Sequence, residues 1–436
     1  MRITELWVRN FKSLRDVKLS LRSFNLVVGP NGSGKTNLIE ALEFFRDAFT
    51  AEGFSRPWRK WWSPENVVWM RDETLPLTFG FSFQSPVSTG SYELTCNVAG
   101  GAFRVEREVL RISGWGTLER AGNVLRVSYE EGFLSRLGSK VDVAEEFSIR
   151  LDSQRFFLRF LSCISVYPIK YSIQKVSKEI WKIPLPVKSE IRTKEGNILN
   201  STGLYSPDVV DPDTGRTRIL VLETARRLSN MIEKITILRH LNVQEIRKPQ
   251  EYMKTQKLES DGRNLYVVLY NLFLRENRLP EMVADVLSMA LGGYELRFDL
   301  TQDGRVFAQL VNGDLRLPPP CMPDGVHKLL AMLTALQLKP SILAIDELED
   351  SLHPEWIELV IDLLKSSGTT VIATTHSPAA VDIVDPQELI IAEMGREGTV
   401  FKVFEDPEQV KRELRELGIT LSERWLWGAP RLRRAG

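Results

Sequence analysis

The chain is poor in sulfur and imidazole. Its three cysteines (Cys96, Cys163, Cys321) stand far apart with no C-x-x-C pair, and its four histidines (His240, His327, His353, His376) are equally scattered. That spacing argues against a zinc site and a disulfide framework, and leaves the cysteines as small buried hydrophobes. Net charge is missing too: Lys plus Arg and Asp plus Glu each number 57. Bulk attraction to nucleic acid is therefore not expected, which leaves room only for a local basic patch. No apolar run reaches the roughly 18 residues that a membrane span needs. The N-terminus has no signal-peptide shape, and no heptad run marks a long coiled coil. The expectation is no membrane partner and a cytoplasmic location. A chain of 436 residues can bury a large core, in two or three structural units or in one split domain with insertions.

The hydrophobic pattern alternates from Arg2 to Val8, turns at Asn10-Phe11-Lys12-Ser13, and alternates again from Val17 to Leu21, which predicts strand–turn–strand. Phe24–Val28 reads as a short apolar strand and Asn37–Ala48 as a helix. Residues 57–70 are irregular and Trp-rich. Strands are expected at Leu77–Phe83, Tyr92–Val98 and Phe103–Ile112, the last two joined by a hairpin turn at Gly100-Gly101. Residues 147–230 fit no compact repeat and read as an insertion. Beyond it, a helix is expected at Leu222–Ile235, a strand at Ile235–Val243, and helices over Asn264–Glu276, Met282–Leu291, Val326–Leu338 and Glu355–Lys365. Ser341–Ile345 and Val371–Ala373 read as buried strands.

Gly29-Pro30-Asn31-Gly32-Ser33-Gly34-Lys35-Thr36 matches GxxxxGK[ST], with an apolar strand before it and a helix starting at Asn37. Glycines let the backbone curl so that its N–H groups point at phosphate oxygens, and the helix N-terminus adds positive charge. Lys35 can reach the β- and γ-phosphates, and the Thr36 hydroxyl can ligate Mg²⁺. The strand Ser341–Ile345 ends in Asp346-Glu347. In P-loop enzymes the first such acid holds Mg²⁺, and a second can polarise the attacking water. Neighbouring residues on a strand face opposite ways, so the two acids serve different roles only if the strand ends between them. His376, just past the strand at 371–373, is placed to lie beside a γ-phosphate.

Asn10-Phe11-Lys12-Ser13, the GPNGSGKTN loop, IDELEDSLHP and TTHSP, in this order, resemble the RecF/SMC/OLD-related branch of ABC ATPases, which includes soluble bacterial and archaeal "AAA family ATPase" proteins. Leu258–Leu265 and Gly418–Gly428 fit the same group, and the resemblance covers roughly residues 1–115 and 235–428. It implies an α/β P-loop NTPase of the ABC-ATPase head type, with an antiparallel β subdomain and a helical lobe. The expected parts are residues 1–146 with Walker A and the β subdomain, the insertion 147–230, a helical lobe at 231–338, and residues 339–436 with Walker B, D-loop and switch histidine. By the same resemblance Gly29–Thr36 is Walker A, with Asn37 following it. Asp346 is the Walker B aspartate, Glu347 the catalytic base, Leu348–His353 the D-loop and His376 the switch histidine, and Lys12 lies near the nucleotide. The signature is sought at Met322-Pro323-Asp324-Gly325-Val326-His327-Lys328, where Asp324 and Gly325 would cap a phosphate of an opposite subunit. Pro323 stands where the family usually has Ser, so a hydroxyl contact is lost. Gln244 is taken as the Q-loop metal residue.

The implied cofactors are ATP and Mg²⁺. The first functional expectation is an ATPase that dimerises head to head and switches a partner: a nuclease or toxin of a phage-defence system, or DNA. With no room after residue 428 for the Toprim nuclease domain of OLD-type proteins, a separate chain is expected to supply any nuclease. The alternative is a nucleotide-gated DNA-repair binding module with slow or vestigial hydrolysis, which Pro323 favours. A transporter subunit fits poorly, because LSGGQ is absent. Trp58-Arg59-Lys60-Trp61-Trp62 reads either as a nucleic-acid stacking surface or as aromatics capping a core, and Arg431, Arg433 and Arg434 as a solvated tail or a binding arm.

Overall fold

The computed structural model describes residues 1–50, 56–122, 124–130, 146–148, 156, 158, 190–192, 198–200, 208–210, 217–426 and 432–436. Most of the 147–230 insertion, Cys163 and Arg431 lie outside the described residues. The chain divides into two compact units: Met1–Ser20 with Phe44–Glu233 and Gly436, and Leu21–Glu43 with Lys234–Ala435.

In chain order, the elements begin with β1 (Arg2–Phe11), β2 (Leu14–Ser20), β3 (Phe24–Val28), α1 (Lys35–Thr50), β4 (Leu77–Gln84) and β5 (Thr89–Asn97). There follow β6 (Arg104–Ile112), β7 (Gly116–Ala121), β8 (Val124–Tyr129), β9 (Glu146–Ser148) and two short pairs, β10 (Glu190–Arg192) with β11 (Ile198–Asn200) and β12 (Asp208–Val210) with β13 (Thr217–Ile219). Next are α2 (Leu220–Glu233), β14 (Ile235–Leu238), α3 (Val243–Ile246), α4 (Leu265–Glu276), α5 (Glu281–Ala290), β15 (Glu295–Leu300), β16 (Val306–Asn312), β17 (Leu315–Leu317) and α6 (Asp324–Gln337). The chain closes with β18 (Ile342–Ile345), α7 (Pro354–Ser366), β19 (Thr370–Thr375), α8 (Pro378–Ile383), β20 (Leu389–Gly395), β21 (Gly398–Phe404), α9 (Pro407–Leu417), α10 (Leu421–Leu426) and β22 (Leu432–Arg434).

The first unit is built on an antiparallel sheet in the order β2-β1-β4-β5-β6-β7-β8-β9. Alternation along β4 and β5 sends Phe79, Phe81, Tyr92 and Leu94 into the core. There Phe79 stacks on Phe44 and Phe45 from the second half of α1, with centroids 5.6 Å apart in both pairs. The sheet continues past Ile112 through β7 to β9, beyond the strands expected at 77–112. Residues 57–71, expected to be irregular, form successive 3-10 turns. Trp58 is buried there, and Trp61 packs against Phe11 and Phe44, which supports the core-capping reading of these aromatics. Trp62 departs from it: the residue is 92% exposed, with a left-handed φ of 73°.

The second unit holds a sheet in the order β14-β18-β19-β3-β20-β21-β22. From β14 to β20 all pairs are parallel. Every residue of β3, β18 and β19 is buried, as strands covered on both faces require, and their sequences, apolar apart from Asn25 and three threonines, show no in–out alternation. A helical lobe of α4, α5 and α6, with the β15-β16-β17 sheet, joins the same hydrophobic core. This is the P-loop NTPase fold of the ABC-ATPase head type, with its antiparallel β subdomain.

Two expectations are corrected. The strand after α2 ends at Leu238, well short of Val243, because Val243–Ile246 close a turn of helix that Asn242 caps by accepting from the Glu245 N–H. Arg433 and Arg434 are exposed, as a solvated end would be, but they form no free tail or arm, since Leu432–Arg434 pair with β21 as an edge strand.

Candidate functional site

Parallel pairing sets the site. β19 lies between β18 and β3, with Ile345 opposite Ala373 and Thr375 opposite Val28. The carboxyl ends of the three strands therefore bring together the loop at 29–36, the acids at 346–347 and the segment at 374–376, at the edge where parallel sheets present ligand sites.

The loop is shaped by glycine. Gly29 has φ +153°, and a Cβ there would stand 2.2 Å from the Ala392 carbonyl oxygen. Gly34, at φ +94°, turns the chain into α1. Lys35 opens that helix buried, and its ammonium donates to the carbonyl oxygens of Gly29 (2.8 Å) and Pro30 (3.0 Å). Burial lowers the Lys35 pKa, and the charges of Asp346, Glu347 and Glu349 oppose that shift.

The Thr36 hydroxyl donates to Asp346 Oδ1 at 3.2 Å, so the loop and the acid meet directly. Asp346 is 1% exposed, and its Oδ1 also accepts from the Thr374 hydroxyl at 2.7 Å. Its Oδ2 is buried with no hydrogen-bond partner. Arg239 Nε stands 4.0 Å and His240 Nε2 3.9 Å from that oxygen. A buried carboxylate oxygen is costly unless something binds it. Beside a threonine hydroxyl, this oxygen fits a hard divalent cation such as Mg²⁺.

β18 stops at Ile345, one residue before the acids. Glu347 then adopts a left-handed conformation with φ 53°, which costs a non-glycine residue about 1–2 kcal/mol. Its N–H donates to the Thr374 hydroxyl at 2.9 Å, and its carbonyl accepts from Lys328 Nζ at 3.2 Å. The two acids are separated by a turn, the condition under which they can face different ways. Lys328 is 2% exposed; burial lowers its pKa against the pull of Asp350, Asp346, Glu349 and Glu347. Glu349 accepts from the Thr375 hydroxyl (2.7 Å) and from the His376 N–H (2.6 Å), tying the acidic loop to the end of β19. The His376 ring is exposed.

Other sequence-picked residues sit differently. Gln244 is exposed on α3 and makes no side-chain hydrogen bond; from that segment it is His240 that approaches Asp346. Lys12 belongs to the first unit, where its ammonium lies 5.5 Å from the Trp61 ring centroid. Asp324 opens α6 with its carboxylate 2.7 Å from Arg247, which also donates to the Met322 carbonyl. Gly325 abuts the acidic loop: a Cβ there would stand 2.4 Å from the Ser351 carbonyl oxygen. Pro323 precedes α6 and has no side-chain cap to offer, although its carbonyl accepts from the Val326 N–H at 3.0 Å. Cys321 is exposed beside it, contrary to the expectation of a buried hydrophobe, because it ends the 3-10 turn leading to α6.

Sequence reasoning gave no individual role to Thr374, Lys328, Glu349 or Arg239, although Lys328 falls in the signature segment, Glu349 in the D-loop and Thr374 in TTHSP. Arg239 donates to Glu40 (2.7 Å) and Glu43 (3.2 Å), both on α1. Signals were present: a charged residue inside the otherwise apolar helix GVHKLLAML, and a hydroxyl directly after a buried strand.

Both halves of this site fall within family matches. Residues 1–72 match a model described as AAA ATPase domain, and residues 194–382 one described as AAA domain, putative AbiEii toxin, Type IV TA system. The OLD nuclease of Thermus scotoductus is 30% identical over 131 residues, which is 29% of this chain and 24% of that protein. The DNA replication and repair protein RecF of Yersinia enterocolitica is 46% identical over 43 residues, 10% of this chain and 12% of that protein. The matched segments thus span a quarter or less of these relatives. Among solved structures, the Smc head domain derived from Pyrococcus furiosus, solved with the C-terminal domain of ScpA, aligns with a TM-score of 0.45 at 13% identity, covering 96% of this chain and 99% of that one. No helix among the described residues is long and apolar enough to cross a membrane. With its phosphate loop inside one AAA ATPase match and its acids inside the other, the chain is similar in these segments to AAA ATPase domains, to the OLD nuclease and to RecF.

Proposed function

We propose that this protein binds ATP with Mg²⁺ and hydrolyses it, and that ATP binding drives a head-to-head dimer that controls a partner. One observation carries the reading: the Thr36 hydroxyl and Asp346 carboxylate meet at 3.2 Å, next to a buried carboxylate oxygen that makes no hydrogen bond. Thr36 and Asp346 would hold the cation, which when bound offsets charge on the β- and γ-phosphates. Lys35 would exchange the carbonyls of Gly29 and Pro30 for phosphate oxygens, while amides of residues 31–36 surround the chain of phosphates. Glu347 would orient the attacking water and take its proton. His376, past β19, would face the γ-phosphate, and Asp324 with Gly325 would meet the nucleotide of the opposite copy.

The relatives' names support the setting. An OLD nuclease and a DNA repair protein point to nucleic-acid metabolism, and the AbiEii-type model points to a toxin system, so the favoured partner is a nuclease, a toxin or DNA. A second reading, a nucleotide-gated repair module with slow hydrolysis, draws on Pro323, which offers no hydroxyl at the start of α6, and on Asp324, which Arg247 already occupies.

Glu347→Gln decides between them. In the first reading hydrolysis falls by on the order of 10²-fold or more while ATP stays bound, and light scattering with Mg-ATP finds a dimer. A variant that stays monomeric with ATP counts against the dimer. Slow wild-type turnover that Glu347→Gln leaves unchanged favours the repair module.

A further inference from the structure

We propose that Lys328 is a positioning residue that holds Glu347 in its left-handed turn and ties it to α6. The proposal rests on the reading of Glu347 as the hydrolytic acid. Lys328 lies in the core-facing helix α6, among Val326, Leu329 and Leu330, all fully buried. A methionine would fill that space without desolvating a charge, so a lysine there calls for a reason other than packing. Its ammonium reaches the Glu347 carbonyl at 3.2 Å, joining the Asp350 N–H that donates to the same oxygen at 3.1 Å, while the Thr374 hydroxyl holds the N–H of Glu347 at 2.9 Å. Both peptide groups flanking a strained Cα are thereby pinned, and the direction of the Glu347 side chain follows from them.

α6 touches the acidic loop a second time. Gly325 leaves no room for a Cβ against the Ser351 carbonyl oxygen, at 2.4 Å. Gly325 and Lys328 are three residues apart, on one face of the helix. A ligand or partner that shifts the N-terminus of α6 would therefore move Ser351 and the Glu347 carbonyl together. The signature-like helix would act on the acid through Lys328, with no need for the hydroxyl that Pro323 lacks.

The test compares Lys328→Met and Lys328→Arg with the wild type in the full chain. Hydrogen exchange of the amides at 347–349 is expected to rise about tenfold in Lys328→Met and to stay near wild type in Lys328→Arg, which keeps a charged donor. Turnover is expected to fall about tenfold in Lys328→Met, with affinity for Mg-ATP held within about twofold. In a Glu347→Gln background, Lys328→Met should cost no further turnover. Unchanged exchange at 347–349 in Lys328→Met overturns the proposal, as does an ATP affinity that falls in parallel with turnover. If the methionine variant does not fold, Lys328→Arg decides alone: loss of protection at 347–349 in a folded protein overturns it, and retained protection upholds it. A wild type without ATPase activity would sink the hydrolytic role of Glu347, while the exchange measurement still judges Lys328.

Discussion

The two units each bury a carboxylate, and do so in opposite ways. In the first, Glu108 is 2% exposed and fully engaged: it accepts from the Tyr92 hydroxyl and the Leu158 N–H and faces Arg120, itself 1% exposed. Arg120 in turn donates to the Gly122 carbonyl. In the second, Asp346 is as deeply buried, yet one of its oxygens meets no donor, and the neighbouring lysine spends its ammonium on its own loop's carbonyls. The first arrangement is what stability selects, because a buried charge without partners costs more than it returns. The second carries free energy that only a bound cation and phosphate would recover, which is how binding sites differ from cores.

That contrast can be broken by mutation. The largest effect is expected from Glu108→Ala. It removes the carboxylate that the Tyr92 hydroxyl, the Leu158 N–H and the Arg120 guanidinium face, and should destabilise the fold by about 3–5 kcal/mol, read by urea denaturation. Nearly as large is the pH response of His327, a buried group of the second unit that is fully partnered. Its Nε2–H donates to the Pro319 carbonyl and its Nδ1 accepts from the Tyr266 hydroxyl, and burial pushes its pKa down to about 4. The folded pKa lies below the unfolded one, so the unfolded chain takes up a proton first. Stability should be complete above pH 6.5 and fall by roughly 3 kcal/mol as pH drops toward 4. Thermal melts of His327→Phe should show a flatter profile over that window. The smallest effect has the opposite sign. Asp346→Asn removes a buried charge of which one oxygen makes no hydrogen bond and should raise the stability of the nucleotide-free protein by about 1 kcal/mol, while Mg²⁺ no longer strengthens ATP binding in titration calorimetry. If Asp346→Asn destabilised the protein as Glu108→Ala does, the contrast between the two units would be false.

Much of the site was readable because its parts are local. A phosphate loop needs glycines at set intervals beside a helix start, and residues 29–36 carry them in one stretch. The acids announce themselves at the end of an apolar run. Gln244 misled because the strand expected to deliver it ends at Leu238, and the end of a strand is decided by pairing: β14 finds partners on β18 only from Ile342 to Ile345. The contacts of Thr374, Lys328 and Arg239 were not legible for a related reason. Each acts on a group far away in sequence, and a lysine in a helix or a threonine after a strand means little until that group is known.

What the sequence determined alone was therefore the set of short-range geometries: a glycine loop able to wrap phosphate, apolar strands that must be covered on both faces, and an acid pair just past one of them. Which strands lie side by side was left to the tertiary structure, since sheet order is a long-range matter of packing. Placing β19 between β18 and β3 carried Thr36 to within 3.2 Å of Asp346, 310 positions away in the chain. The same packing left one carboxylate oxygen of Asp346 without a donor and set a lysine under the turn of Glu347, since desolvation and hydrogen bonding are decided only once distant segments meet.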